Sequence, residues 1–439
     1  MISKMPKVAG DQDLRAGHVG WTPHYADRMQ SVQASEIREL LKLLDRPDTI
    51  SFAGGIPDPA LFPREHVRDA YNAILNDDAM ARRALQYSVS EGDPDLRAWI
   101  VDHMRRKGVA CGLENILITS GSQQALEFLG KLFISRADRV AVTAPTYLGA
   151  LQAFAANRPE YATLGISDAG RVCIGVETPG PGPGPGPGPG PGPGPGPGPG
   201  RYAFAYVVPD FANPSGETLT EPVRRSILMM AAERDMPVIE DSPYEMLRFE
   251  GVAPPPMQAL DIEASGAIDN SRVIYCGSFS KVFTPGLRIG WVCASREIVG
   301  RLTLIKQSSD LNSPALNQRV MLHLAQTIYD QQIDRARSVY RAKRDAMLAV
   351  LGDVLPSGSR WSRPDGGMFI WVELPSTIDA AALLTRAVAH HGVAFVPGRA
   401  FHADGRGVNA LRLNYTLPTI KEIDVGLTRL AAALNGTSG

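Results

Sequence analysis

Short apolar runs separated by helix-patterned stretches constrain this chain more than any other feature. Runs at 116–119, 140–143, 203–208, 238–240, 273–276 and 289–293 have almost no polar interruption. That is the pattern of strands buried on both faces, not of half-buried strands that alternate. Between them, segments such as 123–134 and 221–234 carry apolar residues at helical spacing. Strands alternating with helices imply an α/β fold, a mainly parallel sheet sandwiched by helices. Ligands in such folds sit at the carboxyl ends of the strands.

Beyond Ser308 the spacing predicts helix through 318–351, strands near 367–373 and 411–415, and a closing helix over 420–434, a smaller α+β domain. With 439 residues the chain is too long for one simple core. The expected division is a polar tail over 1–24, an arm over 25–68 that joins the small domain and the substrate site, a large domain over 69–310 and a small one over 311–439. In the arm, 35–44 reads as an amphipathic helix, and Ile50-Ser51-Phe52 as a strand running into Ala53-Gly54-Gly55-Ile56-Pro57-Asp58-Pro59, a loop where backbone can approach a ligand. Residues 66–77 and 94–107 read as helices.

Residues 179–200 fit no element. They are consecutive Pro-Gly dipeptides, which lack the three-residue period of collagen and offer no apolar side chains beyond the proline rings, so they predict a solvated loop. The loop stands where a crossover helix normally runs. Either a repeat expansion replaced that helix or the letters are a placeholder, and the strict two-residue period favours a non-natural origin.

Forty-five basic against 46 acidic residues leave a net charge of -1, which gives no electrostatic reason to expect nucleic acid or an anionic membrane as partner. Small-molecule substrates fit better. Neither a signal-like leader nor a long apolar span is present in the sequence, so a cytoplasmic location is expected. Cys111, Cys173, Cys276 and Cys293 are far apart, without Cys-x-x-Cys spacing or close histidine partners. They read as reduced core thiols, and no metal site is expected. His390 and His391 would point apart on a helix, which favours a solvated or capping role.

The chemistry concentrates at predicted strand ends. Ser278-Phe279-Ser280-Lys281, with Arg288 just beyond, offers a Schiff-base lysine beside hydroxyls and a guanidinium able to hold one phosphate. Alone, the motif is as often a solvated turn. It also satisfies the Ser-x-x-Lys of serine β-lactamases, but none of the nine lysines is followed by the required Thr-Gly or Ser-Gly. Asp241 ends a strand, where it could keep a ring nitrogen protonated or merely form a turn. Asn213, in Asn-Pro-Ser-Gly, could bond a phenolic oxygen together with Tyr244. Ser122 and Gln123 open a helix whose first amides could cradle a phosphate, without the residues of a nucleotide-binding loop. Tyr147 could stack on a flat ring, and Arg412, between apolar neighbours on a strand, offers a bidentate partner for a carboxylate.

In this order the motifs resemble the fold-type I pyridoxal-phosphate aminotransferases of class I/II, most closely the α-aminoadipate and kynurenine aminotransferase group. The likeness runs from about Tyr25 to Leu434, interrupted by the Pro-Gly tract. It rests on the Phe52 to Pro59 loop, Tyr87-Ser88, Gly121-Ser122-Gln123-Gln124, Pro209-Asp210-Phe211-Ala212-Asn213-Pro214-Ser215-Gly216, Glu240-Asp241-Ser242-Pro243-Tyr244 and Gly277-Ser278-Phe279-Ser280-Lys281.

The resemblance implies pyridoxal 5'-phosphate as cofactor, carried as a Schiff base on Lys281. Asp241 would face the ring nitrogen, Asn213 and Tyr244 the ring's 3'-oxygen, and Ser122, Gln123, Ser278, Ser280 and Arg288 the phosphate. Tyr147 would stack on the ring, and Arg412 with the Gly54-Gly55 backbone would take the substrate carboxylate. It also implies a homodimer with shared sites, to which Tyr87 comes from the neighbouring chain. The implied reaction is ping-pong transfer of an amino group from an L-amino acid of aminoadipate, aromatic or branched-chain type to a 2-oxo acid, 2-oxoglutarate being expected. Competing readings are a β-eliminating lyase and an amino-acid-sensing module. Regulators built on this fold carry an additional DNA-binding domain, for which the stretch before Tyr25 is too short.

Overall fold

A computed structural model describes residues 21–32, 48–167, 170, 172–175 and 201–436. The helix expected over 35–44 and the Pro-Gly tract lie outside the described residues. The six expected strands of the large domain join one eight-stranded sheet, built from β1 (Ile116–Thr119), β2 (Arg139–Val142), β3 (Glu160–Ile166), β4 (Val172–Gly175), β5 (Tyr202–Val207), β6 (Val238–Asp241), β7 (Val273–Ser278) and β8 (Gly290–Cys293), in the order β1-β8-β7-β6-β5-β2-β3-β4. Pairings among β3, β2, β5, β6 and β7 are parallel, whereas β8 and β4 are antiparallel to their neighbours.

Side chains on the two faces pack into separate cores, because successive residues of a strand point to opposite sides. On β5, Phe204 and Tyr206 join one core while Ala205 and Val207 join the other, beneath helices Glu221–Glu233 and Met257–Ser265. This two-sided burial explains the uninterrupted apolar runs. β3 escapes the sequence reading because its exposed and buried positions alternate around Glu160, Thr163 and Gly165.

A four-stranded antiparallel sheet, Arg360–Trp361, Phe369–Glu373, Ala410–Asn414 and Val396–Pro397 in that order, forms the smaller layer. It is accompanied by the long helix Tyr329–Val354 packed on Ile420–Asn435. The single helix expected over 318–351 is instead two, Ala315–Thr327 and Tyr329–Val354, broken where Ile328 leaves helical geometry at φ -132°. Strand Ile50–Ser51 pairs parallel with Val393–Ala394, and the Phe52 carbonyl accepts from the Asn414 amide at 2.8 Å. The loop after Phe52 is thereby tied to the small sheet and brought over the carboxyl ends of β5, β6 and β7. Cys111, Cys276 and Cys293 are buried, but Cys173, on edge strand β4, is exposed, a departure from the core thiol expected there.

Candidate active site

β1, β2, β5, β6 and β7 all end at one edge of the sheet, and β8 begins there. The residues following each strand therefore converge. After β7 the chain turns through Ser278 and Ser280, whose hydroxyls bond each other at 2.9 Å, and reaches Lys281. The Lys281 ammonium donates to the Gly55 carbonyl at 3.1 Å and lies 5.8 Å from the centre of the Tyr244 ring. Burial lowers its pKa to about 8, the Arg412 and Arg288 charges push the same way, and Asp241 opposes them.

Asp241, the last residue of β6, is buried. Its Oδ2 accepts from the Tyr206 hydroxyl at 2.8 Å, while its Oδ1 is buried without a hydrogen-bond partner. Burial raises its pKa to about 6, against the Tyr206 bond and the Lys281 charge. A buried carboxylate oxygen left unpaired is costly unless a cationic or N–H partner meets it.

Beside this pair, the Asn213 amide nitrogen donates to the Tyr244 hydroxyl at 3.3 Å, and Asn213 Oδ1 accepts from Arg412 Nη1 at 2.7 Å. Arg412 Nη2 also donates to the Ala53 carbonyl at 2.6 Å, and its guanidinium lies 4.3 Å from the Phe369 ring centre and 5.0 Å from that of Phe401. Arg412 is buried, with Nε unpartnered, and burial lowers its pKa to about 10. Tyr147 precedes helix Leu148–Ala155, and its ring folds over Gly149, where a Cβ would come within 2.4 Å of it. Burial raises the Tyr147 phenol to about 12, with Asp241 adding to the rise and Arg412 and Arg288 opposing it. That phenol faces the same charged space.

Opposite the lysine lies a cradle. Helix Ser122–Phe133 starts directly after β1, and its first amides have no intrahelical acceptor. Arg288 Nη2 donates to the Ser120 carbonyl at 3.0 Å, and Nη1 approaches Ser280 Oγ at 3.5 Å. Gly121 (φ +82°) leaves room for this guanidinium, since a Cβ there would stand 2.2 Å from Arg288 Nη2. The Gln123 amide nitrogen turns aside, to the Gly149 carbonyl at 2.8 Å.

The structure thus brings Gly55, Ser122, Gln123, Tyr147, Asn213, Asp241, Tyr244, Ser278, Ser280, Lys281, Arg288 and Arg412 to one sheet edge. Tyr87 is the exception. It stands 80% exposed with exposed Leu85 and Val89 near it in the chain. Sequence reasoning missed Tyr206, Phe369 and Phe401. A tyrosine inside an apolar strand adjacent to the one ending in Asp241 was the available signal for Tyr206.

An amine held partly neutral, a buried carboxylate oxygen without a partner whose charge that amine feels, and a cradle of hydroxyls, amides and a guanidinium fit pyridoxal 5'-phosphate. The chain matches the family "Aminotransferase class I and II" over residues 52–168 and 207–430. It is 38% identical to the 2-aminoadipate transaminase of Thermus thermophilus over 95% of this chain and 98% of that protein. It is 37% identical to aromatic-amino-acid aminotransferase 1 of Thermococcus litoralis, over 96% and 97%. Among solved structures, the α-aminoadipate aminotransferase of Thermus thermophilus, complexed with N-(5'-phosphopyridoxyl)-L-leucine, superposes with a TM-score of 0.81 at 36% identity, covering 95% of this chain and 99% of that one.

The fold is that of a pyridoxal-phosphate enzyme of fold type I. The chain belongs to the class I and II aminotransferases, and pyridoxal 5'-phosphate is its cofactor.

Proposed function

We propose that the enzyme moves the amino group of an L-amino acid of aminoadipate, aromatic or branched-chain type to a 2-oxo acid, 2-oxoglutarate, in two alternating half-reactions at one site. The observation that carries this reading is Lys281 and Asp241 facing one buried space with Arg412 at its side. Relatives named for 2-aminoadipate, aromatic amino acids and kynurenine support the aminoadipate and aromatic donor classes. When bound, the cofactor supplies an electron-withdrawing ring that takes up the negative charge left on the substrate's Cα.

The protein's part is positioning and proton transfer. Lys281 Nζ, neutral in an appreciable fraction near pH 7, removes the Cα proton. Asp241 Oδ1 holds a proton on the ring nitrogen, which keeps the ring cationic. Asn213 and Tyr244 hold the ring's oxygen, Tyr147 covers one ring face, and Ser122, Gln123, Ser278, Ser280 and Arg288 hold the phosphate. Arg412, with the Gly54-Gly55 backbone near it, orients the substrate carboxylate.

In this reading the chain works as a homodimer in the cytoplasm, and the exposed Tyr87 completes the neighbouring subunit's site. Among the described residues no helix is long and apolar enough to cross a membrane. In the same reading residues 69–310 form the large cofactor-binding part and 311–439 the smaller one, and the site draws residues from both.

The test is a panel of amino acids, each with and without 2-oxoglutarate, following glutamate and ammonia. Glutamate formation that needs both partners is expected, with no activity in Lys281→Ala. Sustained ammonia release from an amino acid alone would replace the aminotransferase reading with a lyase. Full activity in Lys281→Ala would remove the lysine from the chemistry.

A further inference from the structure

Lys306 is a fully buried lysine beside the site whose charge the proposed reaction does not use. It lies in the last turn of helix Arg296–Ser309 and is 0% exposed. A lysine costs far more to bury than an apolar side chain of its size, and it is kept charged only by complete pairing. Lys306 Nζ donates to both Asp310 oxygens at 2.9 and 3.0 Å, to Ser313 Oγ at 3.0 Å and to Gln124 Oε1 at 3.2 Å.

The same Gln124 Oε1 accepts from the Ser120 backbone amide at 2.9 Å, and Gln124 Nε2 donates to Asp310 at 2.8 Å. The Ser120 hydroxyl lies 3.3 Å from Ser313 Oγ and 3.4 Å from Asp310 Oδ2. On the other side, the Ser120 carbonyl accepts from Arg288 at 3.0 Å. Every polar group of Ser120 is therefore gripped, its carbonyl by Arg288 and its amide and hydroxyl by the Lys306 cluster. Ser120 is followed directly by Gly121 and by the helix start that the proposed function gives to the phosphate.

We propose that Lys306 is a positioning residue for the cofactor's phosphate, acting through Gln124 to hold the Ser120-Gly121-Ser122 turn in the geometry that presents its amides. Because Asp310 balances its charge, the lysine serves the geometry of the turn and not the attraction of the anion. This rests on the phosphate placement given under the proposed function.

The test compares the full-length protein with Lys306→Met and Gln124→Met after removal of the cofactor. Dissociation constants are measured by absorbance for pyridoxal 5'-phosphate and for pyridoxal, which lacks the phosphate, together with melting temperatures of the cofactor-free forms. Both variants are expected to weaken pyridoxal 5'-phosphate about tenfold or more, the scale on which loss of a residue supporting a metal ligand weakens metal binding, while pyridoxal shifts less than about twofold. Gln124→Met leaves the Lys306, Asp310 and Ser313 contacts in place, so it carries the test if Lys306→Met does not fold. Equal weakening of both aldehydes, or a lower melting temperature with unchanged affinity, overturns the proposal and makes the cluster purely structural. Failure of the unaltered protein to bind either aldehyde would instead strike at Lys281, and with it the proposed function.

Discussion

The Tyr206 hydroxyl donates to Oδ2 of Asp241 at 2.8 Å across the adjacent strands β5 and β6. The bond occupies one carboxylate oxygen and leaves the other, Oδ1, for the ring nitrogen. It also stabilises the charged form of a carboxyl that burial has raised to about 6.

Tyr206→Phe removes that bond and lets the Asp241 pKa climb further. A net hydrogen-bond contribution of about 1 kcal/mol corresponds to somewhat under one pH unit. The acid limb of the kcat/KM profile is expected to move up by about 0.5 to 1 unit, with the alkaline limb in place. A superimposable profile would show that Tyr206 does not tune this carboxylate.

Asp241 also sets a trade between stability and function. Its folded pKa of about 6 lies above the ordinary 3.8, so the folded cofactor-free protein binds the proton more tightly than the unfolded chain. The resulting penalty is fully present above pH 6 and fades as pH falls from 6 towards 4. At roughly 1.4 kcal/mol per unit it amounts to about 3 kcal/mol, already net of the attraction to Lys281. Asp241→Asn should therefore raise the melting temperature of the cofactor-free protein at pH 8, have little effect near pH 4, and abolish transamination. Thermal scans of both forms at the two pH values decide it, and a variant destabilised at pH 8 contradicts the argument.

What the sequence discloses follows from where the physics is local. Strands β1, β5, β6 and β7 are legible because burial on both faces makes their composition uniform. Most of the site residues are legible because they follow a strand end in a compact motif, whereas Arg412 stands out as a charge inside an apolar strand. Tyr206 is not, since its role exists only through pairing with the strand that carries Asp241. Nor are Phe369 and Phe401, which meet Arg412 across three segments of chain. The break at Ile328 leaves no glycine or proline behind it. Where a contact joins distant segments, residue pattern alone holds no record of it.

Arg412 is expected to serve both half-reactions, because amino donor and oxo-acid acceptor each bring a carboxylate. Its guanidinium is held between two carbonyl acceptors, those of Asn213 and Ala53, and lies against two aromatic rings. A lysine keeps the charge but has neither the fork nor the flat face. Arg412→Lys should lower kcat/KM for donor and acceptor alike by about a hundredfold, near 3 kcal/mol for a charge-assisted bidentate pair. Loss for only one of the two substrates would mean that the carboxylates bind separately.

Gly121 is required on two grounds. Its φ of +82° is strained for any residue with a side chain, at about 1–3 kcal/mol. An added Cβ would also stand 2.2 Å from Arg288 Nη2 and displace the guanidinium from the cradle. Gly121→Ala should fold with reduced stability and lose cofactor on dialysis under conditions where the unaltered enzyme retains it. Retention of a full complement by the variant would show that Arg288 can leave the Ser120 carbonyl without cost to the phosphate.

Lys281 gives the last prediction. Burial, with Arg412 and Arg288 behind it, lowers its pKa to about 8. At pH 7 about a tenth of the molecules then carry a neutral amine, against a few in ten thousand for a solvent-exposed lysine. Only the neutral amine attacks an aldehyde. Capture of pyridoxal 5'-phosphate by the cofactor-free enzyme should accelerate steadily from pH 6 and level off above about 8. Asp241 raises this pKa, so Asp241→Asn should move the levelling point lower. A rate still climbing tenfold per unit at pH 9.5 would place the amine in an ordinary environment and contradict the burial on which its reactivity is argued.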